Sequence, residues 1–357
     1  MHIPDGYLSP STCASFYAFS IAGWFTALKR IKRKMLGRTI PLISVFAAFC
    51  FVVMMFNVPL PFGTTGHAVG VAVAAIVLGP WGAMLAISIA LAIQALFFGD
   101  GGITTLGANC FNMAIVGSLV AYGVFRLISG NSEAIARRRV WAAAIAGYVA
   151  INASSLLTAI ELGIQPLLFR NASGVPLYAP YPLRVAVPAM MIGHLTIAGL
   201  AEAVIAAGMI SYLQRADIGL LQGTAMFSGS RLATTTPASS YRRMWLTVAL
   251  LMLFTPLGIL AAGTAWGEWS AADLHNAATR AQIAAASRAD LPGAVPAGIE
   301  RWSAIWTAPF PGYAPSFIKQ PVIGYLLSAM FGVGILLLTY LVSRSAGKRA
   351  IRQELRS

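Results

Sequence analysis

The sequence predicts an all-α membrane protein that crosses the bilayer several times, and three observations lead to this fold class. Only 10% of its 357 residues are charged and 58% are hydrophobic, whereas about a quarter of an average soluble chain is charged. Several apolar runs approach or reach the ~20 residues that a helix needs to cross the hydrocarbon core. The basic residues, which give a net charge of +14, lie mostly between these runs.

Nine membrane helices follow from the apolar runs and their breakers. We expect the first seven over about 11–28, 39–56, 67–78, 81–98, 106–128, 140–160 and 184–213. The third is short because Gly79-Pro80 breaks it. The eighth and ninth are expected over about 244–264 and 321–342, around a long segment with four tryptophans. The sequence therefore predicts a seven-helix module over 1–214, a linker over 215–243 and a two-helix module over 244–357, whose segment 265–320 is external.

The distribution of the basic residues predicts the orientation in the membrane. Most of the 25 Lys and Arg residues follow the first, fifth, seventh and ninth predicted helices. Basic loops stay in the cytoplasm, so we expect the amino terminus outside and the carboxyl terminus inside a cell membrane. The positive charge is then explained by topology and contact with membrane lipid, and no nucleic-acid partner is expected.

The first two residues offer several atoms that could bind a metal ion. Met1 and His2 offer a free amine, a backbone nitrogen and an imidazole, which can close fused chelate rings on one metal ion. A fourth nitrogen would complete a square plane, the geometry that Ni(II) and Cu(II) favour. Alternatively, His2 has no function, since most lone histidines are not ligands.

His67 is the candidate for the fourth nitrogen. It follows a stretch rich in glycine and proline, Pro59 to Gly66, and such irregular backbone at membrane depth persists only where protein or a cavity covers it. The predicted topology places His67 on the same outer side as Met1, so the two can meet. The alternative is a histidine that caps the third helix.

Other polar residues in or near the membrane helices are candidates for supporting roles. Charged groups in membrane helices are costly and indicate function; here they are Glu161, Arg184, His194 and Glu202. We expect Asn109, Thr64 and His194 to support the metal ligands; Asn109 could instead cap a helix, and His194 could be structural. Ala14, Ala18 and Ala22 form a stripe of small residues, which could contact a partner but which we expect to pack inside the bundle.

These motifs resemble a known transporter family. The opening decapeptide, Gly66-His67, the Gly101–Asn109 stretch and Gly193-His194-Leu195 are similar to the NikM/CbiM substrate-binding component of nickel and cobalt energy-coupling factor (ECF) transporters, over roughly residues 1–215. The last two helices, with the segment between them, resemble the small accessory component NikN or CbiN, fused here to the first. The resemblance implies a seven-helix S-component bundle whose amino terminus tucks inside.

The resemblance also implies ligands, substrate and partners. It implies that the Met1 amine, the His2 amide and imidazole nitrogens and the His67 imidazole hold Ni(II) or Co(II) as the transported substrate. It further implies a transmembrane coupling subunit and ATP-binding cassette subunits. The chain has no GxxxxGK[ST] phosphate loop, so we expect no enzymatic activity, no catalytic residues and no organic cofactor. The Ile3–Tyr7 stretch and the fusion favour nickel over cobalt.

Two other functions compete with this interpretation. One is a membrane hydrolase with a metal held by His67, His194 and Glu202, although the chain lacks an HExxH helix. The other is a sensor or structural protein that binds metal without transport, which the accessory module argues against. The sequence does not reveal what the 265–320 segment does; His275 within it could capture metal but is more typical of a solvated loop histidine.

Overall fold

A computed structural model describes residues 1–32, 39–224, 237–261 and 263–354. Within these ranges, six helices are long and apolar enough to cross a membrane, and a single two-stranded sheet is present. The prediction of an all-α, multi-pass membrane protein is confirmed.

The described residues up to 216 form eight α-helices, which range in length from four to 32 residues. The helices are α1 (Pro10–Lys32), α2 (Thr39–Met54), α3 (Val71–Ile93), α4 (Leu106–Asn109), α5 (Gly117–Ser129), α6 (Arg137–Leu168), α7 (Leu183–Gly193) and α8 (Gly199–Ala216). Wider π-helical turns extend α3 over Gln94–Phe98, join α4 to α5 and join α7 to α8. Such turns are frequent at functional sites, and the first leads directly into the loop that contacts the amino terminus.

The helix α3 is a helical hairpin that turns at Gly79. Gly79 has a φ of 74°, a conformation that side chains other than hydrogen tolerate poorly, and Pro80 cannot continue the ladder of hydrogen bonds. A straight helix over 71–98 would be about 42 Å long, yet His67 before it and Asp100 after it both contact His2. The predicted break at Gly79-Pro80 is confirmed, but the helix begins at Val71 and not at His67.

A short β-hairpin occupies the stretch around Pro59 to Gly66, for which the sequence predicts irregular backbone. Strands β1 (Asn57–Leu60) and β2 (Thr64–His67) pair antiparallel, with Asn57 opposite His67. The strands are only four residues long and contain Pro59, which hides their signal in the sequence. The pairing fixes His67 at the end of β2.

The second module consists of two helices and the folded 265–320 segment. The helix α9 (Pro237–Phe254) begins earlier than predicted and continues as a 3₁₀-helix over Thr255–Leu260. The helix α13 (Pro321–Glu354) extends beyond the predicted end. Part of the predicted linker, residues 225–236, lies outside the described residues. The segment between the two helices forms α10 (Ala271–His275), α11 (Ala277–Ser287) and α12 (Ala297–Trp302).

The two modules pack against each other along α2. The hydroxyl of Tyr325 on α13 donates to the Met55 carbonyl at 2.8 Å, and Gly258 lies so close to this carbonyl that a Cβ would be 2.2 Å from it. Ala14, Ala18 and Ala22 are exposed on α1. The expectation that this stripe packs internally is wrong. The stripe lies on the surface, where a partner or lipid can contact it.

Candidate metal centre

The amino-terminal segment, Met1–Leu8, is folded into the protein rather than projecting from it. Met1 and His2 are each 2% exposed and Ile3 is fully buried. Ile3 is the anchor: its N–H donates to Asn109 Oδ1 at 2.8 Å, and its carbonyl accepts from Gly102 N–H at 2.9 Å and from Asn109 Nδ2 at 3.1 Å. The first two residues are therefore presented from a fixed backbone.

Asp5 secures the same segment to the loop before α4. Its carboxylate accepts the Ile103 N–H at 3.0 Å and the Thr104 N–H at 2.7 Å, together with the Thr104 hydroxyl. The loop can approach this closely because residue 102 is glycine: a Cβ there would lie 2.3 Å from the Asp5 nitrogen. The Gly-rich loop thus forms a binding surface for the amino terminus.

The nitrogens proposed as ligands converge. His67 Nε2 lies 3.3 Å from His2 Nδ1, and the two rings stack with centroids 4.9 Å apart. His67 Nδ1 lies 3.0 Å from the Ala68 carbonyl, which leaves Nε2 for His2 or an ion. Metal–nitrogen bonds of about 2.0–2.1 Å would place neighbouring nitrogens of a square plane roughly 2.9 Å apart. The two imidazoles are close to that spacing without any ion.

Burial keeps the His67 ring neutral and able to act as a ligand. The pKa of His67 lies well below its ordinary value, first because burial disfavours the charged form and then because the Met1 amine and His2 add positive charge nearby. A metal ligand must present a free lone pair. Protons therefore compete little for His67 near neutral pH.

A carboxylate from the 265–320 segment covers the two remaining nitrogens. Glu268 Oε1 lies 2.8 Å from both the Met1 amine and the His2 backbone nitrogen, and accepts a hydrogen bond from each. The Tyr7 hydroxyl donates to the Trp269 carbonyl at 2.7 Å, which holds Glu268 in place beside the amino-terminal segment. The second module thus contributes a side chain to the centre.

Asp100 supplies a second carboxylate at the same place. Its Oδ1 lies 2.9 Å from His2 Nδ1, and its Oδ2 accepts from the Tyr313 hydroxyl at 2.6 Å. Burial alone would raise the pKa of the Asp100 carboxyl, but His2, His67 and Tyr313 lower it below its ordinary range. Asp100 is therefore an anion beside the His2 imidazole.

Glu202 on α8 holds the backbone that follows His67. Its Oε2 accepts the N–H groups of Val69 at 2.7 Å and Gly70 at 2.9 Å. These N–H groups lie at the start of α3, where a negative charge is favoured by the helix dipole. Glu202 is fully buried, so this carboxylate positions the hairpin that carries His67.

The other predicted residues have more distant or different roles. Asn109 bonds to the Ile3 backbone through both its side-chain oxygen and its side-chain nitrogen. The Thr64 hydroxyl donates to the Pro61 carbonyl within the β-hairpin, and His194 Nδ1 bonds to the Met190 carbonyl of its own helix. Glu161 accepts from Asn112 Nδ2 within the bundle, and Arg184 is exposed at the start of α7.

The donor atoms proposed for a hydrolase do not cluster. Among the described residues, one group of three or more His, Cys, Asp or Glu side chains has donor atoms close enough to share an ion: His2, Asp100 and Glu268. His67, His194 and Glu202 form no such group, and each bonds to backbone. His275, at 3.1 Å from Glu300, is exposed as expected.

Sequence reasoning missed Asp100 and Glu268. Asp100 lies in the Gly99–Asn109 loop, where its single charge among glycines was a usable signal. Glu268 lies in a segment 266 residues away from His2, and nothing in the local sequence links the two. Only the packing of the two modules brings this carboxylate to the amino terminus.

Comparison with known proteins agrees with this architecture. Residues 2–220 match the family CbiM, described as the cobalt uptake substrate-specific transmembrane region. The fused nickel transport protein NikMN of Rhodobacter capsulatus is 49% identical over 352 residues, which cover 98% of this chain and 99% of that protein. The "Probable fused nickel transport protein LarMN" of Lactiplantibacillus plantarum is 38% identical, over 95% of this chain and 96% of that protein.

Solved structures match part of this chain. A crystal structure of a transition metal transporter is 50% identical in sequence and superposes with a TM-score of 0.57. The match covers 63% of this chain and 98% of that one. The two fused relatives cover more of this chain, 98% and 95% of it.

Proposed function

The chain belongs to the CbiM family of metal uptake proteins, and we propose that it is the substrate-specific component of an ATP-driven, ECF-type transporter for nickel ions. In this proposal the ion is bound by the Met1 amine, the backbone and imidazole nitrogens of His2 and the His67 imidazole. The first 214 residues bind the metal, residues 215–243 link the modules, and residues 244–357 form the accessory module.

One observation carries the proposal: four nitrogens from two distant parts of the chain meet in a buried place. His2 Nδ1 and His67 Nε2 are 3.3 Å apart, and the amine and amide nitrogens share one carboxylate oxygen at 2.8 Å. Such a centre explains why a membrane protein buries an amino terminus and two histidines, at considerable cost in desolvation. The fused relatives, named as nickel transport proteins, support a transport role.

Nickel is preferred over cobalt on two grounds. A plane of four nitrogens suits Ni(II), and the two relatives that align over nearly the whole chain are named for nickel. Cobalt uptake is the alternative within the same family. Titration of the purified chain with Ni(II) and Co(II) in competition distinguishes them, because the nickel proposal requires tighter binding of Ni(II).

The proposal includes partners and an orientation. The chain lacks a phosphate-binding loop, so ATP hydrolysis belongs to separate ATP-binding cassette subunits that act through a transmembrane coupling subunit. The exposed small residues on α1 permit close helix contact and support such a partner. The metal centre faces the outside of the cell, and the carboxyl terminus lies in the cytoplasm.

Replacement of His67 by alanine tests the site. We expect His67→Ala to weaken Ni(II) binding more than tenfold, which corresponds to at least about 1.4 kcal/mol, while the apolar bundle keeps its fold. His275→Ala is the matched control, since this histidine is exposed on the 265–320 segment. We expect the His275→Ala protein to bind Ni(II) as the wild type does. Equal Ni(II) affinity of the His67 variant and the wild type in calorimetric titration would refute the assignment.

A further inference from the structure

The metal centre is closed to solvent except at two carboxylates. The Met1 and His2 side chains are 1% exposed, whereas the side chains of Glu268 and Asp100 are each 17% exposed. His67 is also buried. Of these side chains, the two carboxylates are therefore the ones that solvent reaches most.

The carboxylates and His2 form a second set of donor atoms. One donor atom each from His2, Asp100 and Glu268 lies within 4.8 Å of the others, a spacing that one cation can bridge after small side-chain shifts. The His2 imidazole faces Asp100 through Nδ1 at 2.9 Å, whereas its buried Nε2 has no hydrogen-bond partner among the described residues. This set has two anionic oxygens and one nitrogen, unlike the proposed plane of four nitrogens.

We propose that Asp100, Glu268 and the His2 imidazole form an entry site, which binds the incoming divalent cation through oxygen before the ion moves to the four nitrogens. The proposal rests on the proposed function and adds a step that precedes it. Carboxylates bind hydrated divalent ions readily, and a cleft lined by one sign of charge raises association rates by 10- to 1,000-fold.

The contacts of Glu268 and His2 indicate how the ion would pass from one set to the other. Glu268 Oε1 bonds to both the Met1 amine and the His2 backbone nitrogen, so an ion cannot reach these atoms without displacing Glu268. His2 Nδ1 contacts Asp100 Oδ1 on one side and His67 Nε2 on the other. His2 belongs to both sets and can keep hold of the ion throughout the transfer.

The entry site is assembled from both modules. Asp100 and His2 belong to the first, whereas Glu268 and Tyr313, which donates to Asp100 at 2.6 Å, belong to the 265–320 segment. An isolated first module would keep the nitrogens but lose one of the three donors of the entry site, Glu268, and the hydrogen bond from Tyr313 to Asp100. The proposal thereby gives the 265–320 segment a chemical role.

The rates of metal binding test the proposal on the full-length chain with its native amino terminus. Glu268→Gln keeps an oxygen that can accept both N–H groups but removes the charge, and Glu300→Gln, on the same segment and exposed, is the matched control. An entry site lowers the barrier that the ion crosses on binding and on release, but it does not stabilise the ion once the four nitrogens hold it. We therefore expect Glu268→Gln to slow both association and dissociation of Ni(II) about tenfold and to change the equilibrium affinity less than threefold, while Glu300→Gln behaves as the wild type.

Asp100→Asn provides an independent second variant and should slow association in the same way. The proposal is overturned if both variants associate with Ni(II) as fast as the Glu300→Gln control, or faster. It is also overturned if Glu268→Gln loses equilibrium affinity through faster dissociation, since Glu268 would then be a permanent ligand. If the wild type itself binds no Ni(II), the proposed function fails, and that result is distinct from either of these.

Discussion

The amino-terminal segment and the β-hairpin bring nitrogens to the same place but are held there by different means. The segment is anchored by many separate bonds, from Asn109, from Gly102 and between Asp5 and the loop that follows. The backbone after the hairpin is held by two bonds to one buried carboxylate, Glu202. The amino-terminal half of the centre is supported by bonds to several residues, whereas the other half combines the strand pairing with bonds to a single buried side chain.

This difference indicates how each half responds to change. Loss of one bond among many shifts the amino-terminal segment little, because the remaining bonds keep its backbone in place. Loss of Glu202 leaves two buried N–H groups without their acceptor, and such groups are costly. Substitutions on the two sides should therefore differ in the size of their effects on metal binding.

Glu202→Ala should produce the largest effect. A buried N–H group left without its acceptor costs about 1–3 kcal/mol, so we expect a clear fall in the melting temperature and a loss of Ni(II) affinity of about 30-fold, or ~2 kcal/mol. Thermal unfolding and Ni(II) titration in detergent measure both. Glu133→Ala, at an exposed position, is the control, and an unchanged Ni(II) affinity for Glu202→Ala would remove the assigned difference between the two halves.

The pH dependence of Ni(II) binding should arise from protons on the amino-terminal segment. His67 is neutral near pH 7 because burial lowers its pKa, so it has no proton to release there. The amine and the amide hydrogens, which now point to Glu268, must be displaced by the metal. We expect Ni(II) affinity to fall as the pH falls, by about tenfold per pH unit for each proton displaced. Titrations between about pH 7.5 and 6 measure this slope, and a flat profile contradicts it.

Gly102→Ala should produce the smallest effect of the three. The added Cβ would lie 2.3 Å from the Asp5 nitrogen, and overpacking of this kind costs about 1–3 kcal/mol. We expect the segment to shift and Ni(II) affinity to fall about three- to tenfold. Gly123→Ala is the control because a Cβ there meets nothing within 4 Å. A Gly102 variant that binds as tightly as this control would show that the loop does not set the position of the amino terminus.

The sequence predicted the parts of the fold that depend on local chemistry. The turn of α3 followed from Gly79-Pro80, whose backbone preferences need no tertiary contact. The β-hairpin was missed because its strands are four residues long and one contains Pro59. The start of α3 was placed at His67 instead of Val71, since the capping carboxylate, Glu202, comes from another helix.

The residues of the candidate site likewise include some that the sequence predicts and some that it does not. The contact between His2 and His67 was predictable because their donor atoms suit one chemistry and the predicted topology places them on the same side. Glu268 was not, because its role depends on the packing of the 265–320 segment against the first module. His194 was expected near the centre, yet it bonds to the Met190 carbonyl; spacing along a helix defines a face but not what that face contacts.

Nickel binding by two extended forms of the chain tests the central claim most directly. A single residue added before Met1 turns the amine into an amide and moves His2 away from the terminus, so the fused chelate rings cannot form. A tag added after Ser357 leaves the centre unchanged. We expect the amino-terminally extended protein to fold normally and lose Ni(II) binding, while the carboxyl-terminally tagged protein binds as the native one. If the amino-terminally extended protein binds Ni(II) with native affinity, the Met1 amine is not a ligand and the proposed centre is wrong.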